Sequence, residues 1–141
     1  SFIEILGYLF WLLFFGMEHI ADIQKQNFFN KAYLENKKKQ VCNVGLWKYS
    51  RHPNYFAEWM VWNSLILSSL PSLLYFHLVE KNLIWVGLLI SLFYISKIMY
   101  NTLVYYTGAI PSEYYSIKNR PDYKNYRKNT NMFFPGKITK V

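Results

Sequence analysis

Gly45-Leu46-Trp47-Lys48-Tyr49-Ser50-Arg51-His52-Pro53-Asn54-Tyr55-Phe56-Ala57-Glu58-Trp59 decides how this chain is read. It joins a basic, polar segment to a long apolar one. Pro53 suits the first position of a helix, because its fixed φ matches the first turn and its missing N–H is not needed there. From that start Asn54, Glu58 and Trp62 follow at i, i+4 and i+8 and share one helix face. Arg51 and His52 stand just ahead of the helix N-terminus, where free N–H groups carry partial positive charge and favour phosphate. Glu58 falls one turn inside apolar surroundings, where an ionisable group is costly and marks function by default. The same residues admit a plainer reading, with Arg51 and His52 as an interfacial anchor and Glu58 as a partner for a neighbouring helix.

The surrounding composition is that of a membrane protein. The 141 residues suffice for a single domain and are 52% hydrophobic, 21% aromatic and only 17% charged. The net charge of +8 is uneven: lysine and arginine cluster in residues 25–51 and again in 118–140. Two basic segments flanking apolar ones fit a membrane protein with both segments on one side. A nucleic-acid binder would interleave its cations with exposed aromatics on one face, which this chain does not do. Cys42 is the single cysteine and excludes an internal disulfide. His19, His52 and His77 are scattered without cysteine or carboxylate partners at ligand intervals, so no metal site is expected. The apolar start at Ser1 has no charged n-region or cleavage site and does not read as a signal peptide. The missing initiator methionine suggests a fragment.

The expected fold is all-α: a polytopic helical bundle with about three membrane spans, each needing ~20 apolar residues. Residues 1–22 form the first span, 23–53 a basic cytoplasmic segment containing Lys37-Lys38-Lys39, 54–79 and 83–107 two further spans, and 108–141 a basic cytoplasmic tail. The positive-inside rule sets the orientation. Pro71 is expected to kink or split the second span, and Lys97 to snorkel from the third. Glu18 and Asp22 place two carboxylates at i, i+4, and Lys25 or His19 can partner them.

The string RHPNYFAEW, with GLWKYS ahead of it, resembles the cofactor-binding segment of the steroid 5-alpha-reductase family, in particular its wider branch of membrane oxidoreductases. The likeness extends to Met17-Glu18-His19-Ile20-Ala21-Asp22-Ile23-Gln24-Lys25, to Gly108-Ala109-Ile110-Pro111-Ser112-Glu113, to the tyrosine-rich stretch 120–128 and to Phe133-Phe134-Pro135. It covers nearly the whole chain but only the family's C-terminal part. The resemblance implies NADPH as cofactor and hydride transfer to an activated C=C bond of a lipid-soluble substrate: a steroid, fatty acyl or polyprenoid enone. It implies cofactor contacts from Asp22, Arg51, His52, Asn54, Tyr55, Glu58, Trp62, Glu113, Tyr123, Tyr126 and Arg127. It also implies a multi-pass protein of the endoplasmic reticulum in a eukaryote, or of the inner membrane in a bacterium.

In that family the proton donor comes from the N-terminal half. No catalytic residue is therefore assigned here, and the chain is expected to be a cofactor-binding half, inactive alone. Two positions depart from the pattern: Glu18 stands where the steroid reductases carry asparagine, and Ala57 where the family usually has glycine. An S-adenosylmethionine-dependent methyltransferase of the isoprenylcysteine carboxyl methyltransferase type shares the Arg-His-Pro box. Asn54 with Glu58, Ala21-Asp22 and Ile110-Pro111-x-Glu113 favour the reductase branch. A non-catalytic lipid-binding membrane protein is the third reading, since fold alone does not secure function.

Overall fold

The computed structural model describes residues 1–80 and 83–137. Five α-helices follow in order: α1 (Phe2–Leu34), α2 (Pro53–Glu80), α3 (Ile84–Asn101), α4 (Ala109–Asn119) and α5 (Tyr123–Asn129). A 3-10 turn spans Gly45–Lys48, and a π-helical turn, Thr102–Tyr106, extends α3. Among the described residues there is no strand.

A capping box opens α1, with the Ser1 hydroxyl accepting from the Ile3 N–H and Glu4 reaching back to the Ser1 backbone. The helix does not stop near Asp22, where sequence composition turns polar, but continues to Leu34. Its polar second half keeps an inward stripe that composition hides. Phe28 and Phe29 are half-buried and Ala32 is buried, so the helix still has a face to cover. Helix α2 runs unbroken through Pro71, so the expected split does not occur. In the turn before the proline, the Ser68 and Ser69 hydroxyls donate to the Leu65 and Ile66 carbonyls at 2.8 and 2.7 Å. Such local bonding is one way a membrane helix tolerates proline.

The three long helices pack up, down and up. Gly7 of α1 crosses α2 so closely that an added Cβ would lie 2.7 Å from the Ser68 Cβ, a small-residue contact. At the other end of the pair, Asn54 of α2 meets Asp22 of α1. Helix α3 returns along α2: the Trp59 indole donates to the Ser96 carbonyl at 3.0 Å, and Ser96 donates to Asn63 at 2.8 Å. His77 packs against Trp85 at the far end, the two rings tilted by 45°.

The tail then straps this bundle at the Asn54 end. The Ser50 hydroxyl donates to the Phe133 carbonyl at 2.9 Å, and the Arg51 N–H donates to the Asn131 carbonyl at 2.8 Å. Phe133 is only 3% exposed and packs edge-on against Phe56, Trp59 and Tyr100. Leu103 and Val104 complete this small core.

Two helical stretches, Phe2–Leu34 and Ile84–Asn119, are long and apolar enough to cross a membrane. The apolar part of the second gives way at Gly108, where α4 begins. Helix α2, the remaining expected span, is not among these two; Asn54, Glu58, Asn63 and its serines dilute its apolar character. Large apolar side chains of α1 and α3, such as Leu9, Leu12, Ile90 and Phe93, are exposed, and Lys97 is exposed among them. The architecture suits a helical membrane protein.

Candidate cofactor pocket at the strapped end of the bundle

The chain between the 3-10 turn and α2 is buried to an unusual degree for charged residues. Ser50, Arg51 and His52 are 0%, 7% and 4% exposed. Ser50 caps the approach to α2, its hydroxyl accepting from the His52 N–H at 3.1 Å. Arg51 is then enclosed by the tail. Its Nε donates to Glu113 Oε1 at 2.7 Å, and Nη1 donates to the Arg127 and Thr130 carbonyls at 2.6 and 2.7 Å. The His52 Nε2 lies 3.2 Å from the same Glu113 oxygen, and Arg127 Nε reaches Glu113 Oε2 at 3.6 Å.

Glu113 thus gathers three of the sequence-derived site residues around one carboxylate. Burial raises its pKa, but hydrogen bonds from His52 and Arg51 outweigh this and hold it below the usual carboxylate range. Burial pushes the His52 imidazole below its ordinary value despite the neighbouring carboxylate. The pair is therefore a neutral imidazole donating to a carboxylate. Arg51, which the sequence suggests as a phosphate ligand, has its Nε and both Nη1 hydrogens committed to Glu113 and the tail carbonyls.

Beside this latch, Asn54 Nδ2 donates to Asp22 Oδ1 at 3.0 Å, bridging α2 to α1. Asn54 fills the place that Lys25 or His19 was expected to take. Its own Oδ1 is buried and has no hydrogen-bond partner among the described residues. A buried acceptor left unpaired is costly enough to ask what it awaits. Glu58, one turn further along, is half-buried and makes no hydrogen bond or ion pair among the described residues. Trp62 follows on the same face, 40% exposed. Tyr55 lies on the His52 ring, nearly parallel, at 5.4 Å between centroids.

Tyr123 and Tyr126 behave differently. Both are buried, and burial pushes both phenols well above their ordinary pKa. The Tyr126 hydroxyl donates to the Trp47 carbonyl and lies 3.3 Å from the Ser50 carbonyl, so this tyrosine props the 3-10 turn from below.

Sequence reasoning missed a second group of polar residues. A cavity of ≈ 40 Å³ opens between α1 and α4, lined by Lys25, His52, Ser112, Ser116, Arg120 and Tyr123 among others. By volume it admits about two or three water-sized groups. Lys25 Nζ sits 4.6 Å from the centroid of the Trp47 ring, and the Arg120 guanidinium 4.5 Å from that of Phe29. Trp47 is itself fixed by its indole N–H, which donates to the Ala21 carbonyl at 2.9 Å. Cys42 also lines this cavity, but burial pushes its thiol up to about 11, which leaves it inert as a nucleophile.

The signal for this group was present in the sequence. Ser112, Ser116 and Arg120 stand at i, i+4 and i+8, as Asn54, Glu58 and Trp62 do on α2. Lys25 follows Asp22 by three residues on the same side of α1. No group of three or more metal-ligating residues occurs among the described residues.

No curated protein and no solved structure matches the chain. Residues 1–130 match a family described as a protein of unknown function (DUF1295), and the chain belongs to that family.

Proposed function

We propose that this chain is the cofactor-binding part of a membrane oxidoreductase that uses NADPH to reduce an activated C=C bond of a lipophilic substrate. The observation that carries the reading is the buried Asn54 Oδ1, an acceptor without a partner, held in place because Asp22 takes the other end of the amide. A nicotinamide carboxamide is a donor of the kind this atom lacks. Glu58 can accept from the ribose or the carboxamide, and Trp62 offers a flat apolar surface one turn on. Lys25 and Arg120 give this end of the bundle positive charge, but the cavity they border holds only about two or three water-sized groups and does not seat a pyrophosphate. Asn54, Glu58 and Trp62 suit the nicotinamide half of the group by their chemistry and shared helix face. The likeness of RHPNYFAEW to the steroid 5-alpha-reductase family supports the same assignment.

When bound, NADPH supplies a hydride; the residues of this chain bind, orient and keep water out. Arg51 and Glu113 act as positioning residues that close the tail over the pocket. Helix α2, packed antiparallel against two membrane-compatible neighbours, crosses with them, which gives three spans and puts both basic segments on the cytoplasmic side. A pocket inside such a bundle draws its substrate from the bilayer: a steroid, fatty acyl or polyprenoid enone.

The test is a titration of the detergent-purified protein with NADPH and with S-adenosylmethionine, repeated on Glu58→Gln. NADPH binding that the substitution weakens, with no response to S-adenosylmethionine, is the expected result. Binding of S-adenosylmethionine alone would make the protein a methyltransferase. Binding of neither would leave a lipid-binding scaffold.

A further inference from the structure

The outward side of α4 takes no part in the pocket. Ala109 and Glu113 are buried, and Ser112, Ser116 and Arg120 line the cavity, so these positions define the inner face. Ile110, Tyr114 and Ile117 recur at i, i+4 and i+7 as a separate stripe. Ile110 and Tyr114 are 44% and 67% exposed. Tyr105 and Tyr106, also exposed, close the apolar helical run immediately ahead of α4. Tyrosines at the end of a membrane-crossing helix mark the depth of the headgroups.

The stripe leads into a hollow of ≈ 410 Å³ whose walls are Ile117, Lys124, Arg127 and Lys128. Arg127 turns its guanidinium toward Glu113, at 3.6 Å. Lys124 and Lys128 are exposed and form no ion pair among the described residues, and the same holds for Lys118. Of the two acids between residues 105 and 137, Glu113 is buried and Asp122 is the one at the surface. An apolar stripe with cations at its end is the pattern of a helix lying in the membrane–water boundary.

We propose that α4 is an interfacial helix, with the Ile110–Tyr114–Ile117 stripe at the headgroup–acyl boundary and Lys118, Lys124 and Lys128 binding an anionic phospholipid. The hollow beside Ile117 receives the headgroup. A zwitterionic lipid offers the same phosphate but cancels it with its own cation, so the surface discriminates by net charge. A free acidic protein segment is the less favoured occupant, because the stripe continues an exposed helix that itself suits lipid. This surface stands whether or not the pocket takes NADPH. It also gives the inner face of α4, which carries Glu113, a fixed height relative to the bilayer.

Native mass spectrometry of the delipidated protein in detergent tests this, with phosphatidylglycerol and phosphatidylcholine of matched acyl chains as the probes. Wild type should retain phosphatidylglycerol over phosphatidylcholine by at least about tenfold, as three surface lysines would give. The preference should fall toward parity in the Lys118→Gln, Lys124→Gln, Lys128→Gln triple variant and return when arginine replaces glutamine at the three positions. An unchanged thermal midpoint of the triple variant checks that it is folded; the wild-type comparison of the two lipids stands without it. Equal retention of both lipids by wild type, or a preference that survives the triple substitution, would overturn the proposal. Displacement of the lipid by millimolar inorganic phosphate would overturn it as well, by showing a free-phosphate site.

Discussion

Glu113 accepts from Arg51 Nε at 2.7 Å, although 62 residues separate them and both are buried. That contact joins the entrance of α2 to α4 and, through the other Arg51 donors, to the tail. Removing the carboxylate leaves a desolvated guanidinium without its counter-charge. Glu113→Ala should therefore cost about 3–5 kcal/mol, read as a fall in thermal midpoint in detergent. Arg127→Gln removes only the 56% exposed partner of the same carboxylate and should cost no more than about 1 kcal/mol. Equal losses in the two variants would mean that Arg51 is not the residue Glu113 holds.

The same cluster makes stability depend on pH. The folded-state pKa of His52 is depressed below its ordinary 6.5, and that of Glu113 below its ordinary 4.5. In both cases the unfolded chain binds protons first, so stability is complete above the ordinary value and declines as pH falls. The thermal midpoint should begin to drop below pH 6.5 as His52 resists protonation, and drop again below 4.5 as Glu113 does. His52→Asn should remove the first decline and keep the second. Thermal melts from neutral to acid pH check both.

Gly108 joins the π-helical turn to α4, and an added Cβ would lie 1.7 Å from the Leu103 carbonyl oxygen. Backbone cannot yield as a flexible side chain does. Gly108→Ala should shift α4, and Glu113 with it, and yield little folded protein. Gly16 of α1 has nothing within 4 Å of its added Cβ, so Gly16→Ala should change stability by no more than about 1 kcal/mol. Size-exclusion profiles of the two variants, made side by side, separate the outcomes.

The helices themselves were legible as long apolar runs, although α2 is not among the two stretches apolar enough to cross a membrane. Residues 54–79 became Pro53–Glu80, and residues 83–107 became α3 with its π-helical extension. The second half of α1 was not legible, because Lys, Gln and Asn on its outer side mask the Phe28, Phe29 and Ala32 stripe. Pro71 does not split α2, and neighbouring serines that bond local carbonyls are one way the helix continues past it. Within the site, spacing along α2 placed Asn54, Glu58 and Trp62 on one face. It gave no sign that Arg51 faces inward, since its partner lies on another helix. Nor did it show that Lys25 and Arg120, at opposite ends of the chain, border one cavity.

Whether the Asn54 Oδ1, unpaired among the described residues, takes a cofactor donor is tested most directly by Asn54→Leu. The substitution keeps a helical side chain of similar size and removes both the acceptor and the bond to the exposed Asp22, at a cost of about 1 kcal/mol in stability. NADPH titrated against wild type and Asn54→Leu, with thermal midpoints taken alongside, gives the answer. The predicted result is a loss of NADPH affinity of about tenfold or more with the fold retained. A folded Asn54→Leu protein that binds NADPH as tightly as wild type would contradict the account.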